Sequence, residues 1–474
     1  MKKPTRLLLI NPAERQTVQA NLPPEIEAVR GNNPPISLLE VAAAAREWGG
    51  AEVALIDAHA ESLTPAQTAA RAREFAPDLI GITAVSFTMP DVFAQIAACK
   101  AELPDTPVWL GGLQPFLYPE QTLALPGVDG LVLGEGEHPI AALCKHWPDL
   151  AALRDTPGLR FLLDGELVDT GVAPVITDLD SLPQPAYDLL KADLYGSVLT
   201  DEHPAAIAIT SRGCPYRCTF CSQSVTGKRF RAHGVDYVVA TFELLKRLGY
   251  RAVLVYDEVF TVDNQRVRDL CAELRRRDWD LPWMVRATVG SVDEPLLREL
   301  KDAGCEWITF GVEAGTDRVL KRLNKPVKLD KALEVFAASR RAGLKTLAYF
   351  MVGNPEETAE EVAATERFML QLEPDMIHAA VYTVYPATDL YDEGLRKNLW
   401  GGDVWRDFAA DPSREFTAPL WPGPLSAEQS FAAVRRMYRR FYLRPKIVFR
   451  ELKNLTSWTA LKRRMRYART LTGR

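Results

Sequence analysis

Three of the seven cysteines fall within eight positions, in Gly213-Cys214-Pro215-Tyr216-Arg217-Cys218-Thr219-Phe220-Cys221, with the spacing C-x3-C-x2-C. Three thiolates on one loop can hold three corners of a cubane iron–sulfur cluster and leave the fourth iron open to a substrate or cofactor, whereas electron carriers spend four cysteines on each cluster. An open iron implies catalysis. Zinc competes for the same thiols, because Cys3His sites exist and His203 and His233 lie about a dozen residues to either side. The paired C-x2-C motifs of a zinc ribbon are missing, and Arg217 and Thr219 make the loop too polar for a chance gathering of buried thiols. An odd, sparse set of cysteines also fits reduced thiols on a metal better than a disulfide framework.

Hydrophobic periodicity outlines the elements that must present this loop. Residues 205–210, 252–256, 283–287, 307–312, 346–351 and 377–383 read as strands, separated by helical stretches such as 236–248 and 294–303. Six strand–helix units predict an incomplete (β/α)6 barrel with its chemistry on the loops at the carboxyl ends of the strands, and the cysteine loop follows the first of them. Ahead of it, short apolar runs at 6–10, 52–57, 79–83, 108–112 and 130–134 alternate with helical stretches beginning near Ser37, Pro65, Pro90, Pro119 and Glu137. That is the pattern of a doubly wound parallel sheet, so the fold class is α/β throughout. Small and polar residues gather where such sheets bind ligands: Asn11-Pro12, the loop of Thr83, Ser86 and Thr88, Gly111-Gly112, and Gly134-Glu135-Gly136-Glu137. Their glycines either admit a bulky ligand to the backbone or only turn the chain tightly. The expected organisation is a Rossmann-like domain over 1–145, a Pro- and Asp-rich connector over 146–204, the barrel over 205–400 and a helical, basic region over 401–474.

With 47% apolar and 25% charged residues, the 474-residue chain has the composition of a water-soluble globular protein of two or three domains, which excludes disorder and fibres. No apolar run approaches a membrane span, and the four apolar residues at 7–10 are too few for a signal-peptide core, so a cytoplasmic protein is expected. The net charge of −5 conceals an asymmetry: residues 435–474 carry fourteen basic side chains against one acidic, a net +13, and leave −18 on the first 434. Ser426-Ala427-Glu428-Gln429 has the capping-box pattern of a helix start, and Phe431, Val434, Tyr438 and Phe441 follow at helical spacing among Arg435, Arg436, Arg439 and Arg440. A further segment sets Trp458, Leu461 and Met465 amid basic residues. Such helices either lie on an anionic membrane or pack against the barrel with their arginines solvated or paired to the acidic body. Nucleic acid is not expected as a partner, because the acidic body would repel it and no nucleic-acid module is visible.

The motifs together resemble the radical S-adenosylmethionine superfamily, in which this cysteine spacing is the defining motif. The resemblance implies that Cys214, Cys218 and Cys221 hold a [4Fe–4S] cluster whose open iron is chelated by S-adenosylmethionine, with Phe220 packed near the adenine. It implies that an electron from a reductant such as flavodoxin or ferredoxin splits the sulfonium and yields a 5'-deoxyadenosyl radical. Roles follow strand by strand: Asp257 and Glu258 of Tyr256-Asp257-Glu258 for the cofactor's amino group, Arg286 for its carboxylate, and Glu313 of Gly311-Val312-Glu313-Ala314-Gly315 for the ribose and carboxylate region. Gly353, in Met351-Val352-Gly353-Asn354-Pro355-Glu356-Glu357-Thr358, corresponds to the segment that reads the adenine. No catalytic residue is assigned, and Tyr382 and Tyr385 are candidates for the substrate wall.

Residues 6–443 as a whole resemble the subgroup with an N-terminal cobalamin-binding domain, through Asn11-Pro12, Pro34-Pro35, the Thr83, Ser86 and Thr88 loop, Gly111-Gly112 and the Gly134, Glu135, Gly136, Glu137 run. The resemblance implies a corrinoid between the domains. Two departures mark this chain: Leu113-Gln114-Pro115-Phe116 stands where a histidine is common, and Asp57-Ala58-His59 lacks the glycine of a D-x-H-x-x-G motif. No histidine of this domain is therefore expected on cobalt. Hopanoid-modifying enzymes and the anaerobic cyclase of bacteriochlorophyll synthesis belong to the subgroup, which with the basic tail points to a small or lipophilic substrate and to peripheral contact with the inner face of a membrane. The expected reaction is methylation of an unactivated carbon, in which one S-adenosylmethionine methylates the corrinoid and a second supplies the radical. The alternative is a radical cyclisation, ring contraction or oxidation without methyl transfer.

Overall fold

In the computed structural model, which describes residues 3–18, 31–222, 227–447 and 449, the first strand, β1 (Arg6–Asn11), is covered on both faces. Leu8 and Ile10 pack into one core with residues of helices Pro65–Phe75 and Met89–Glu102, and Leu7 and Leu9 into another with helices Ile36–Glu47 and Glu137–His146. Burial on both sides is why such strands read as unbroken apolar runs rather than as alternation. β2 (Glu52–Asp57), β3 (Leu79–Thr83), β4 (Val108–Gly111) and β5 (Gly130–Val132) join β1 in parallel, in the order β2-β1-β3-β4-β5. The direction of winding reverses between β1 and β3, and a crevice at such a switch point is where doubly wound sheets bind ligands.

The sheet then continues into the stretch expected to be a connector. β6 (Leu159–Leu163) and β7 (Glu166–Asp169) form an antiparallel hairpin laid on β5, so the seven-stranded sheet runs to Asp169 rather than ending near 145. Its turn is Asp164-Gly165, both at positive φ (52° and 82°), as a type I′ hairpin turn requires.

The second sheet has six parallel strands, β8 (Ala205–Ala208), β11 (Ala252–Val255), β12 (Trp283–Ala287), β13 (Cys305–Glu313), β14 (Lys345–Val352) and β15 (Met376–Val381), in the order β15-β14-β13-β12-β11-β8. Between β8 and β11 lies a two-residue ladder of β9 (Ser211–Arg212) with β10 (Arg231–Ala232). Alternation with period two splits the strands into two cores. Ile207, Leu254, Met284, Trp307 and Leu347 fill one face, while Val285, Ile308, Phe310 and Phe350 pack outward beneath the helices. Each fully buried side chain of this size stabilises the fold by roughly 1.5–3 kcal/mol.

The barrel stays open, with β15 at one edge. The C-terminal helix Ala427–Tyr442 covers that edge, and it starts with the expected capping box: Ser426 Oγ accepts from the Gln429 amide (3.2 Å) and Gln429 Oε1 from the Ser426 amide (2.8 Å). Val434, Met437, Tyr438 and Phe441 are buried, and the hydroxyls of Tyr438 and Tyr442 accept from the backbone amides of Ala379 (3.1 Å) and Ile377 (3.2 Å) on β15. Arg436 (2.6 Å) and Arg440 (2.8 Å) both bind the buried carboxylate of Glu366. The apolar face that a membrane would have taken is thus spent on the barrel. The further basic segment around Trp458, Leu461 and Met465 lies outside the described residues. Among the described residues no helix is long and apolar enough to cross a membrane.

Candidate functional site

The cysteine loop leaves the end of β8 through a turn locked by Asp257, whose carboxylate accepts from the Thr210 amide, Thr210 Oγ1 and Ser211 Oγ at 2.6 Å each. Burial still holds the Asp257 carboxyl above the usual range, against the pull of those three donors. Asp257 and Glu258 lie past the end of β11 at Val255, and those three bonds turn the Asp257 carboxylate toward the end of β8. Asp257 therefore serves the fold, and only Glu258 of the expected pair lines the interdomain cavity. Gly213 (φ 83°) then carries the chain so close to the Arg229 carbonyl that a Cβ would collide with it. Beyond it, the loop is stitched to its surroundings: Thr219 N donates to Leu323 O (3.0 Å), Asn324 Nδ2 to Arg217 O (2.6 Å), and Leu390 N to Thr219 O (3.0 Å). Cys214 is buried, Cys218 half-buried and Cys221 exposed, which leaves the group open on one side.

The donor set suits a cluster better than a single ion. A single zinc ion would need a fourth donor beside these three thiols. In a cubane each thiolate takes a different iron, so the sulfurs stand further apart. Either histidine that zinc could recruit as its fourth ligand is engaged elsewhere: His203 Nε2 is 3.0 Å from Asp193 O, and His233 stacks on Tyr237 with ring centroids 3.8 Å apart. Burial, followed by the Arg212 and Arg266 charges, pushes the His233 imidazole down to about 3.

Facing the loop stand the residues expected to hold S-adenosylmethionine. Arg286, on β12, lies with its guanidinium carbon 3.9 Å from the centre of the Tyr256 ring. On β13 the register slips between Gly311 and Glu313, and Glu313 takes φ 70°. A bulge of this kind re-aims a side chain, and a non-glycine residue held in the left-handed region costs about 1–3 kcal/mol. Lys325, which sequence reasoning missed, donates its Nζ to Glu313 Oε1 at 2.8 Å and lies 5.9 Å from the centre of the Phe220 ring. Burial pulls the ammonium's pKa down, but Glu313 and then Cys218 hold it above the ordinary lysine value. Gly353 (φ 80°) and Asn354 donate their amides to Glu357 Oε2 (2.8 and 3.1 Å), which shapes the turn after β14. Burial raises the Glu357 carboxyl to about 7. Tyr382 and Tyr385 pack in the large core beyond β15, Tyr385 against Trp405, and neither lines the interdomain cavity.

That cavity, about 480 Å³, opens between the carboxyl ends of the two sheets. Thr83, Gly111, Gly112 and Gly134 form one wall and Tyr256, Glu258 and Arg286 the other. A wall of glycines is flat, and a planar macrocycle can lie against bare backbone there. Ser86 and Thr88 are buried in the turn after β3 and do not line it; Thr88 Oγ1 donates to Val85 O (3.1 Å). Ser86 Oγ and Gln114 Nε2, on the loops after β3 and β4, are buried without a hydrogen-bond partner among the described residues. At Gly112 (φ 106°) a Cβ would come within 2.7 Å of Ala84 O. The Gly112→Ala variant is accordingly expected to keep its cluster iron and retain several-fold less corrinoid on purification, measured by cobalt content against iron.

Glu135 and Glu137 also have a second occupation. Arg231 binds Glu135 through two nitrogens (3.0 and 2.7 Å), and Arg212 reaches Glu137, Glu40 (3.0 Å) and Glu135 (3.3 Å). Three carboxylates of the first domain thus share two guanidiniums from the β9–β10 ladder. Burial raises the Glu40 carboxyl to about 7; Arg212 opposes the shift, and Glu137 and Glu135 add to it.

Comparison with known proteins bears on this arrangement. A family profile described as the Radical SAM superfamily matches residues 208–369, and one described as a B12 binding domain matches residues 26–144. The uncharacterized methyltransferase PH0819 of Pyrococcus horikoshii is 30% identical over 439 residues, covering 91% of this chain and 93% of that protein. The anaerobic magnesium-protoporphyrin IX monomethyl ester cyclase of Rubrivivax gelatinosus is 28% identical over 88% of this chain and 75% of its own. In fold, the chain resembles the radical S-adenosylmethionine methyltransferase TsrM from Kitasatospora setae, solved with cobalamin and a [4Fe–4S] cluster bound (TM-score 0.72, 18% identity, 94% of this chain and 90% of that one). It also resembles the cobalamin-dependent enzyme OxsB, solved with aqua-cobalamin and S-adenosylmethionine bound (TM-score 0.76, 17% identity, 99% and 71%).

Proposed function

Because the chain belongs to the cobalamin-binding subgroup of the radical S-adenosylmethionine superfamily, we propose that it methylates an unactivated carbon of a small molecule in the cavity between its two sheets. Its cofactors are a [4Fe–4S] cluster, S-adenosylmethionine and cobalamin. When bound, they supply a 5'-deoxyadenosyl radical for hydrogen abstraction and a methyl group for the resulting carbon radical.

The chain's own residues supply grip and direction. Cys214, Cys218 and Cys221 hold the cluster. Glu258 and Glu313 offer carboxylates to an ammonium and a ribose, and Arg286 offers a fork to a carboxylate. Phe220 and the Gly353 turn flank a base. Thr83, Gly111, Gly112 and Gly134 carry the corrinoid; Glu135 and Glu137 keep it close by holding the two domains together. The observation that carries this reading is the meeting of the glycine wall with Glu258 and Arg286 across one cavity, since radical transfer requires the two cofactors to face a common space. Apolar atoms dominate that cavity, which suits a lipophilic substrate. The same reading keeps the protein in the cytoplasm, supplied with electrons by a flavodoxin- or ferredoxin-type donor.

Similarity to the cyclase favours one second reading, a radical cyclisation or oxidation with no methyl transfer. Incubation of the reconstituted enzyme with S-adenosylmethionine labelled in its methyl group separates the two. Label is expected in the product, with both 5'-deoxyadenosine and S-adenosylhomocysteine released. 5'-Deoxyadenosine accompanied by an unlabelled product would leave only the second reading standing.

A further inference from the structure

Lys325 sits where no family motif assigned it, and three features fix its place. The segment bearing it is tied to the cysteine loop by Thr219 N to Leu323 O (3.0 Å) and by Asn324 Nδ2 to Arg217 O (2.6 Å), which fixes the lysine's backbone beside the loop. The Lys325 amide donates to Leu320 O (2.9 Å), which anchors the segment to the helix Asp317–Arg322. Its side chain is only 10% exposed, and its ammonium lies between Glu313 Oε1 (2.8 Å) and the ring of Phe220, the residue next to Cys221. Both Cys218 and Cys221 lie within its electrostatic reach.

A cation shielded from water acts strongly on nearby charge, because the local dielectric is far below that of solvent. Three thiolates around an iron–sulfur cluster make a net anionic group, and reduction adds one more negative charge. The potential of such a cluster follows its local charge, its hydrogen bonds and its exposure. Glu313 bonds to the same ammonium and partly cancels it, so the two side chains set opposite ends of one balance. We infer that Lys325 is a positioning residue that raises the reduction potential of the cluster, with Glu313 holding that effect in check. This rests on the proposed cluster at Cys214, Cys218 and Cys221.

The test is a one-electron redox titration of the anaerobically reconstituted full-length protein, followed by electron paramagnetic resonance, in wild type, Lys325→Met, Lys325→Arg and Glu313→Gln. Iron and sulfide content are measured first; a wild type without them would refute the cluster itself, and the inference with it. With the cluster present, Lys325→Met is expected to be harder to reduce by at least tenfold in the equilibrium, which is 59 mV for one electron. Lys325→Arg should stay near wild type, and Glu313→Gln should shift in the opposite direction. Should Lys325→Met fail to take up a cluster, Glu313→Gln decides: a positive shift supports the inference and an unchanged potential overturns it. Coincident potentials for wild type and Lys325→Met, or shifts of the same sign in the methionine and glutamine variants, overturn it as well.

Discussion

A variant with Cys214, Cys218 and Cys221 all changed to alanine is expected to purify without iron, to lose its iron–sulfur absorbance and to release no 5'-deoxyadenosine. Its turnover should fall by on the order of 10⁶-fold or more, because radical chemistry at an unactivated carbon has no slower enzymatic substitute among acids and bases. Stability should change little. Cys218 and Cys221 sit on an accessible loop, and Cys214 is a small side chain whose loss leaves a modest gap. Far-ultraviolet circular dichroism of the variant should therefore match wild type, which separates loss of chemistry from loss of fold. Retention of turnover by this variant would remove the basis of the proposed function.

The second large effect is expected at Arg212, whose side chain is 7% exposed. Arg212→Met leaves Glu40, Glu135 and Glu137 with Arg231 alone, and a buried carboxylate stripped of its partner costs about 3–5 kcal/mol. Urea unfolding should show that loss most fully at pH 8 and less of it at pH 5, where the surplus carboxylates take up protons. The sign follows from Glu40 in the wild type. Its folded pKa, about 7, lies above the ordinary glutamate value of ~4.3, so the stability it contributes is complete below that lower value and is lost as pH rises toward 7. Glu135 is depressed instead, chiefly by Arg231 and Arg212 against the opposing effect of burial, and its contribution disappears only in more acidic solution. Between pH 4.5 and 7 the contribution of Glu40 should thus fall, and Glu40→Gln should differ from wild type by the loss of that slope. An equal loss for Arg212→Met at both pH values would mean that the carboxylates are solvated and the cluster carries no strain.

Several parts of this architecture could be read from residue order because each is local. Runs such as Leu7-Leu8-Leu9-Ile10 reveal a strand buried on both faces, and three thiols in one loop point to a bound metal without help from the rest of the chain. The β6–β7 hairpin had a readable signal too: Asp164-Gly165 between Leu-rich flanks is a strong turn pair, hidden by the irregular sequence around it. Asp257 is a subtler case. A motif names neighbours together, but Thr210 and Ser211 take up the Asp257 carboxylate, so only Glu258 meets the cavity. The ion cluster and Lys325 were out of reach altogether. Glu40, Glu135 and Arg212 come together only once two domains have docked, and Lys325 meets Glu313 only through a bulge in β13.

One feature of the barrel's rim bears on how the chain can be handled. An uncovered strand at the end of a sheet is a template on which another polypeptide can grow. On β15 the phenolic oxygens of Tyr438 and Tyr442 occupy hydrogen-bonding places that a seventh strand would otherwise take. Cutting the chain ahead of Ser426 would bare those amides along with a greasy stripe. The shortened protein should then form sheet-to-sheet oligomers, whereas one ending just after Tyr442 should remain a dispersed species.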